Sequence, residues 1–273
     1  MRRIKFLALL CTLLFATASW AQGGPGQELV VPLSNPGQPV VLEVSLVQGA
    51  ITVTGYEGSQ VIVEYTIEES TDAEDEVEEV DGMMRIPDSS VGLTIEEKDN
   101  LVEIGTDWSA QEVNLEVRVP VQTSLRINCV NGGEMVVSGV AGTHELSHTN
   151  AGITAVDVRG SVVADTTNGD LVVKLLEMDP DTPMSFSSFN GDVDVTFPAA
   201  LRADLRMRSG QGDIFSDFEV QLQPVEATVT TEEHGGGYHL RMEREVRGTV
   251  GGGGPEMTFK TFNGNVYLRR LGG

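Results

Sequence analysis

Cysteine is nearly absent from this chain of 273 residues, which has only Cys11 and Cys129. Cys11 falls in an N-terminal leader, and Cys129 is then left with no intrachain partner. Neither a disulfide framework nor a cysteine metal site is therefore expected to hold the fold. Leu10 fills the position before Cys11 where a lipid-anchored cysteine needs a small residue. Basic residues are scarce as well: 18 Lys and Arg face 41 Asp and Glu, a formal net charge of −23. A surface of that sign repels phosphate backbones and anionic headgroups, which excludes nucleic acid and membrane surfaces as expected partners. Beyond the leader no apolar run approaches the length of a membrane span. Long helical periodicity is missing too, so burial and backbone pairing of strands must supply the stability.

Residues 1–21 read as a secretory signal peptide. Arg2, Arg3 and Lys5 make a basic start, Phe6 to Ala16 an apolar stretch, and Ser19-Trp20-Ala21 a small-x-small cleavage site. Residues 22–39, with Pro25, Pro32, Pro36 and Pro39, read as an extended lead-in. One domain spans 40–271. Within it, 68–90 is an acidic excursion, 121–218 is the most regular part, 219–250 is less regular, and 251–271 closes the domain. The acids between Glu68 and Asp81 are expected to form a solvated loop.

Glycine is plentiful, 31 residues against a usual share of about 7%, and much of it sits in recurring turns. Asn131-Gly132, Asn150-Ala151-Gly152, Asn168-Gly169-Asp170, Asn190-Gly191-Asp192, Gln211-Gly212-Asp213 and Asn263-Gly264-Asn265 recur, mostly about every twenty residues, with an early copy at Gln48-Gly49. Asn-Gly favours left-handed turn conformations. Aligned on the turn, Leu42, Leu125, His144, Val162, Met184, Leu205 and Met257 share one column. Val44, Ile127, Leu146, Ala164, Phe186, Met207 and Phe259 share another. Mostly polar residues lie between the two columns, which is the alternation of strands with one buried face. The Asn131 copy fits if Gly132-Gly133-Glu134 bulges by one residue.

A residue class kept in register over seven copies predicts strands that lie directly over their equivalents, about 4.8 Å apart, with Asn over Asn in amide ladders. The expected fold is therefore all-β: a single-domain parallel β-solenoid, β-helix-like, with coils of about 20 residues and capped ends.

The run Val113-Asn114-Leu115-Glu116-Val117-Arg118-Val119-Pro120, then Leu125 and the Asn-Gly-Asp turns, resembles the uncharacterised bacterial family named "putative adhesin". The segment from Gly251 to Val266, with its four glycines, Pro255 and Asn263-Gly264-Asn265, is similar to that family's C-terminal end. The resemblance covers residues 40–271. It implies an exported β-solenoid and carries over no catalytic residues. His144 in an apolar column and the long acidic excursion depart from it.

His144-Glu145-Leu146-Ser147-His148 matches H-E-x-x-H, a zinc-protease signature that works on a helix, where residues i and i+4 share a face. In the strand slot before Asn150 the two histidines would stand about 13 Å apart, so they are read as core or corner residues. Asp170, Asp192 and Asp213 follow the turn in consecutive copies and are expected to stack within about 5 Å of one another. At that spacing carboxylates can serve as acid and nucleophile on a glycoside or hold Ca²⁺. The plainer role is to accept hydrogen bonds from turn N–H groups, and Asn265, which keeps the acceptor without the charge, suits it. Gly251 to Gly254 read as a turn, and His234 and His239 as turn and strand residues. Cys129 shares a mixed column with Leu46, His148, Thr166, Ser188, Ser209 and Thr261, which leaves the direction of its thiol open.

These residues predict an exported, non-enzymatic binding, adhesin-like or scaffold module of the cell envelope, periplasmic or at the surface, with no cofactor. Its partner would be an envelope or extracellular protein or glycan. Exposed positions Ser45, Asn128, Ser147, Asp165, Ser187, Arg208 and Lys260 form a polar row, and no aromatic stripe to stack sugars is evident. Two alternatives are a polysaccharide-active enzyme built on the stacked turn carboxylates and a calcium-stabilised structural module.

Overall fold

The structure is a computed structural model that describes residues 28–68, 79–80, 83–84, 92–106, 111–224, 229–234, 237–242 and 245–272. The signal-peptide segment and most of the acidic excursion lie outside these residues. Every regular element described is a strand, and no helix is long and apolar enough to cross a membrane among them. Two short hairpins, Glu79–Val80 with Met83–Met84 and Val229–His234 with Gly237–Met242, stand apart. The remaining strands form one 20-stranded sheet.

Two rows of strands make up this sheet. One row runs Leu101–Thr106, Val40–Gln48, Thr123–Asn131, Ala141–His148, the second half of Ile153–Asn168, Met184–Asn190, Glu256–Asn263 and Ala203–Gln211. The other runs Glu112–Pro120, Ile51–Tyr56, Met135–Ser138, the first half of Ile153–Asn168, Leu171–Met178, Val193–Phe197, Val266–Arg270 and Ile214–Ser216. Asn-Gly and related turns carry the chain between rows. Tight contact demands glycine there: a Cβ on Gly191 would sit 2.0 Å from the Gly169 carbonyl oxygen.

The expectation of a parallel β-solenoid is corrected by this topology. The sheet is mixed, nearly closed and barrel-like. Glu28–Val31 pairs antiparallel with Val61–Glu68, which pairs antiparallel with Glu112–Pro120. Leu93–Lys98 with Leu101–Thr106, and Val246–Val250 with both Ala203–Gln211 and Gln221–Gln223, are antiparallel as well. Strand order also departs from chain order, because Glu256–Asn263 lies between Met184–Asn190 and Ala203–Gln211. The unbroken 16-residue strand Ile153–Asn168 joins the rows, turning at Asp157, whose φ is +57°. Alternation of apolar and polar residues fixes which face is buried but not the direction of a neighbouring strand, so the columns could not reveal these reversals.

Inward-facing side chains of the two rows meet in a single core. Leu42, Leu125, Val162, Met184, Met257 and Leu205 are all buried, as are Val44, Ile127, Leu146, Ala164, Phe186, Phe259 and Met207. Within this core, Phe186 and Phe259 stack at 5.3 Å, and Phe197 from the opposite row meets both edge-on at 6.0 Å. Each ring thereby adds about 0.5–1.5 kcal/mol beyond its area burial.

Candidate binding surface

His144 and His148 lie on the strand Ala141–His148, and both point into the core. The Nε2–H of His144 donates to the carbonyl of Arg159 at 3.2 Å, while its Nδ1 has no partner. Burial pushes the His144 pKa down to about 4, so the ring is neutral at physiological pH. His148 donates from Nε2 to Gly133 O at 3.1 Å, and its Nδ1 accepts the N–H groups of Asn150 and Ala151. Burial lowers its pKa too. Glu145 is exposed, on the opposite face of the strand. Backbone groups thus occupy both rings, each tied to a different segment, and the three residues do not converge as a zinc centre requires.

His148 belongs to a row of inward polar groups beside the turns. Thr166 donates to Ala151 O at 2.7 Å, Ser188 to Gly169 O at 2.9 Å, Thr261 to Gly191 O at 2.8 Å and Ser209 to Gly264 O at 2.8 Å. Cys129 occupies the same row, buried, with its Sγ 3.4 Å from Gly49 O. Apart from Leu46, which is apolar, each member of the mixed column caps a carbonyl in the neighbouring turn. Desolvation pushes the Cys129 thiol up to about 11, which keeps it protonated and unreactive.

The turn acids form a chain of side-chain to backbone bonds. Asp170 Oδ1 accepts the N–H of Asp192 at 2.8 Å, Asp192 Oδ1 accepts that of Asn265 at 2.7 Å, and Asn265 Oδ1 accepts that of Asp213 at 3.0 Å. The order is 170, 192, 265, 213. Asp170 and Asp192 are neighbours as expected, but Asp213 is not next to Asp192, because the closing segment inserts Asn265 between them. A neutral amide there relieves the repulsion a third adjacent carboxylate would bring. Among the described residues no three His, Cys, Asp or Glu side chains gather as a metal site would need. Beside this chain runs the amide ladder: Asn150 Nδ2 donates to Asn131 at 2.6 Å, Asn168 to Asn150 at 3.0 Å, Asn190 to Asn168 at 2.8 Å and Asn263 to Asn190 at 2.6 Å.

The remaining sequence candidates carry no chemistry that the structure brings together. Gly251 to Gly253 turn through φ values of +62°, +89° and +88°. His234 and His239 lie on the hairpin Val229–His234 with Gly237–Met242. The acids of segment 68–81 lie almost wholly outside the described residues.

A groove of about 730 Å³ lies across the outer face of the first row. Lateral pairing sets its side chains in two lines. One holds Glu96, Glu103, Glu43, Arg126 and Glu145 on successive strands. The other holds Ser45, Asn128, Ser147 and Asp165 and continues to Ser187, Lys260 and Arg208. Arg126 bridges Glu43 and, at 3.9 Å, Glu145, and Ser147 Oγ donates to Asp165 at 3.0 Å. A second hollow, of about 520 Å³, lies beside Pro180, Pro198 and Leu201.

Two aromatic pairs, each with one exposed ring, are further features that the aligned columns do not mark. Phe189 stacks on Phe262 at 5.0 Å, and Phe215 on Tyr267 at 5.2 Å. The guanidinium of Arg269 lies over Tyr267 while its Nε donates to both carboxylate oxygens of Asp194. Phe189 and Phe262 each immediately precede the turn Asn, and Phe215 and Tyr267 each stand four residues after Gln211 and Asn263. Extending the aligned columns by one position before the turn and four after it would have found both pairs.

Neither a family model nor a curated protein matches the chain. Among solved structures, it is similar to a "putative cell adhesion protein" from Clostridium sporogenes at 12% identity, with 90% of this chain and 100% of that one covered and a TM-score of 0.44. It is also similar to a "putative adhesin" from Bacteroides fragilis, at 12% identity, with 90% and 96% covered and a TM-score of 0.32. A third, a "putative adhesin" from Parabacteroides merdae, shares 11% identity, with 90% and 96% covered and a TM-score of 0.30. All three of these structural neighbours are bacterial proteins described by the same adhesive role.

Proposed function

We propose that the protein is an exported, non-enzymatic binding module with an adhesin-like role, and that it receives an extended protein or glycan segment along the groove of the first row. The observation that carries this reading is the groove itself, about 730 Å³ and lined by side chains from successive strands of the row. Its floor is a hydrogen-bonded sheet, so the lining side chains stand at a fixed lateral spacing of about 4.8 Å, and the partner bears most of the ordering cost of binding. Lined by Glu43, Glu96, Glu103, Glu145 and Asp165 with Arg126 among them, it favours a neutral or cationic partner. Asp170 and Asp192, the adjacent pair an enzyme of this shape would use, each give one carboxylate oxygen to a backbone N–H.

The test is binding of the purified protein to immobilised envelope polysaccharides and to neutral and cationic extended peptides, with Asn128→Trp as the groove-filling variant. Asn128 is exposed on the outer face, so the variant should fold with an unchanged melting temperature. A ligand whose affinity falls about tenfold or more in the variant, about 1.4 kcal/mol, supports the reading. Binding that the variant leaves intact, no binding to any member of the panel, or turnover of a panel member overturns it.

A further inference from the structure

Four Asn-Gly dipeptides stand in the turns: Asn131-Gly132, Asn168-Gly169, Asn190-Gly191 and Asn263-Gly264. Three of them are held by neighbouring turns at the two atoms that intramolecular attack on the amide requires. The Gly169 N–H donates to Asn190 O at 2.9 Å, Gly191 to Asn263 O at 3.0 Å and Gly264 to Gln211 O at 3.2 Å. The side-chain Nδ2 of each of the same asparagines donates to the next member of the amide ladder. Asn131-Gly132 differs. Its Oδ1 accepts from Asn150, but among the described residues neither the Asn131 Nδ2 nor the Gly132 N–H has a hydrogen-bond partner. Both residues are exposed. Gly132 has a φ of +112° and is followed by Gly133, so two residues without a Cβ can adjust the backbone here. The turn over it, Asn150-Ala151-Gly152, breaks the Asn-Gly pattern, and the Ala151 N–H is taken by His148 Nδ1.

We infer that Asn131 is a site of spontaneous covalent modification, and that it converts well ahead of the three laddered asparagines. The Gly132 backbone nitrogen attacks Asn131 Cγ, forming an N–Cγ bond. The Cγ–Nδ2 bond breaks, and ammonia leaves with the proton that the Gly132 nitrogen gives up. Water then opens the five-membered imide at either carbonyl, giving aspartate or isoaspartate at position 131; no oxidant or reductant takes part. The isoaspartyl product lengthens the main chain by one atom where Asn131 O accepts the Gly49 N–H at 3.0 Å, so modification loosens the turn at this place. At the other three sites the same reaction must first break a backbone hydrogen bond and one or two ladder bonds, each of which lowers the population of reactive conformers.

The test is peptide mapping by mass spectrometry, with isoaspartate quantified, after incubating the native protein at mildly alkaline pH. Urea-denatured protein serves as the control in which all four dipeptides are equally free. The native protein should convert Asn131 at least about tenfold faster than Asn168, Asn190 or Asn263, an equivalent of about 1.4 kcal/mol, while the denatured protein converts all four at similar rates. Asn131→Gln should remove the early product and leave the other three slow. Equal rates at all four native sites, earlier conversion at a laddered site, or no conversion of native Asn131 while the denatured control reacts would each overturn the inference.

Discussion

Asp192 Oδ1 accepts the backbone N–H of Asn265 at 2.7 Å, and Asn265 in turn separates Asp192 from Asp213. This carboxylate is therefore a turn acceptor. Asp192→Asn keeps an acceptor in place and should shift stability by no more than about 0.5 kcal/mol. Asp192→Ala leaves the Asn265 N–H, in a half-buried residue, without its partner and should cost about 1–3 kcal/mol. Urea midpoints of the two variants check this; equal losses in both would mean that charge, not hydrogen bonding, matters at this position.

Calcium should not stabilise the protein. Asp170 and Asp192 each already accept a backbone N–H, and Asn265 interrupts the row of acids. The melting temperature should be the same in excess calcium and in chelator. A site filled at 100 times its Kd would add about 2.7 kcal/mol, a shift readily seen by calorimetry.

Phe186 touches aromatic rings on two sides, stacking on Phe259 and meeting Phe197 edge-on. All three are fully buried. Phe186→Ala should cost about 3–5 kcal/mol, read as a lowered denaturant midpoint with an unchanged slope. An unaltered midpoint would deny that these rings form the core.

How far the sequence reaches can be judged from particular residues. The pairing of Leu42, Leu125 and His144, and of Met184, Met257 and Leu205, is what the aligned columns predict, because period-2 alternation marks the buried face and the Asn-Gly turns mark its limits. Strand direction was not legible. Val61–Glu68 alternates like its neighbours yet runs antiparallel to Glu112–Pro120, since alternation is the same whichever way a strand runs. The insertion of Glu256–Asn263 beside Met184–Asn190 was hidden for a related reason: Met257 and Phe259 match every other copy equally well, so nothing in the columns sets lateral order. At the candidate sites, alternation puts His144 and His148 on the buried face of one strand, while their backbone partners, Arg159 O and Gly133 O, lie in other segments that the columns do not mark. The groove was not foreseen, because it depends on how the Glu43 and Ser45 lines lie across neighbouring strands and no single residue type marks it.

Cys129 should resist thiol reagents while the protein is folded. It is buried, with its pKa raised to about 11 by desolvation, so little thiolate exists at neutral pH and none is exposed. A chromogenic disulfide reagent should react at a rate set by unfolding and rise steeply through the urea transition. Fast labelling of the native protein would place the thiol elsewhere.

His144 makes the fold less stable at acid pH. Burial lowers its folded-state pKa to about 4 from an ordinary value of 6.5, with the hydrogen bond to Arg159 O and the charge of Asp179 opposing part of that fall. Between those values the unfolded chain binds a proton that the folded chain does not, so stability is full above about pH 6.5 and declines as pH falls toward 4. The loss should be about 2 kcal/mol by pH 5. His148, also lowered by burial, adds a contribution of the same sign. In His144→Leu, where the new side chain matches its buried neighbours Leu125 and Val162, the decline between pH 6.5 and 5 should shrink to the part due to His148. Part of the gain at low pH is offset at every pH by leaving Arg159 O without the His144 donor, at about 1 kcal/mol. Unfolding free energies from urea titrations at half-unit steps of pH measure both effects. An unchanged slope in His144→Leu would mean that the ring is charged, or solvated, in the folded protein.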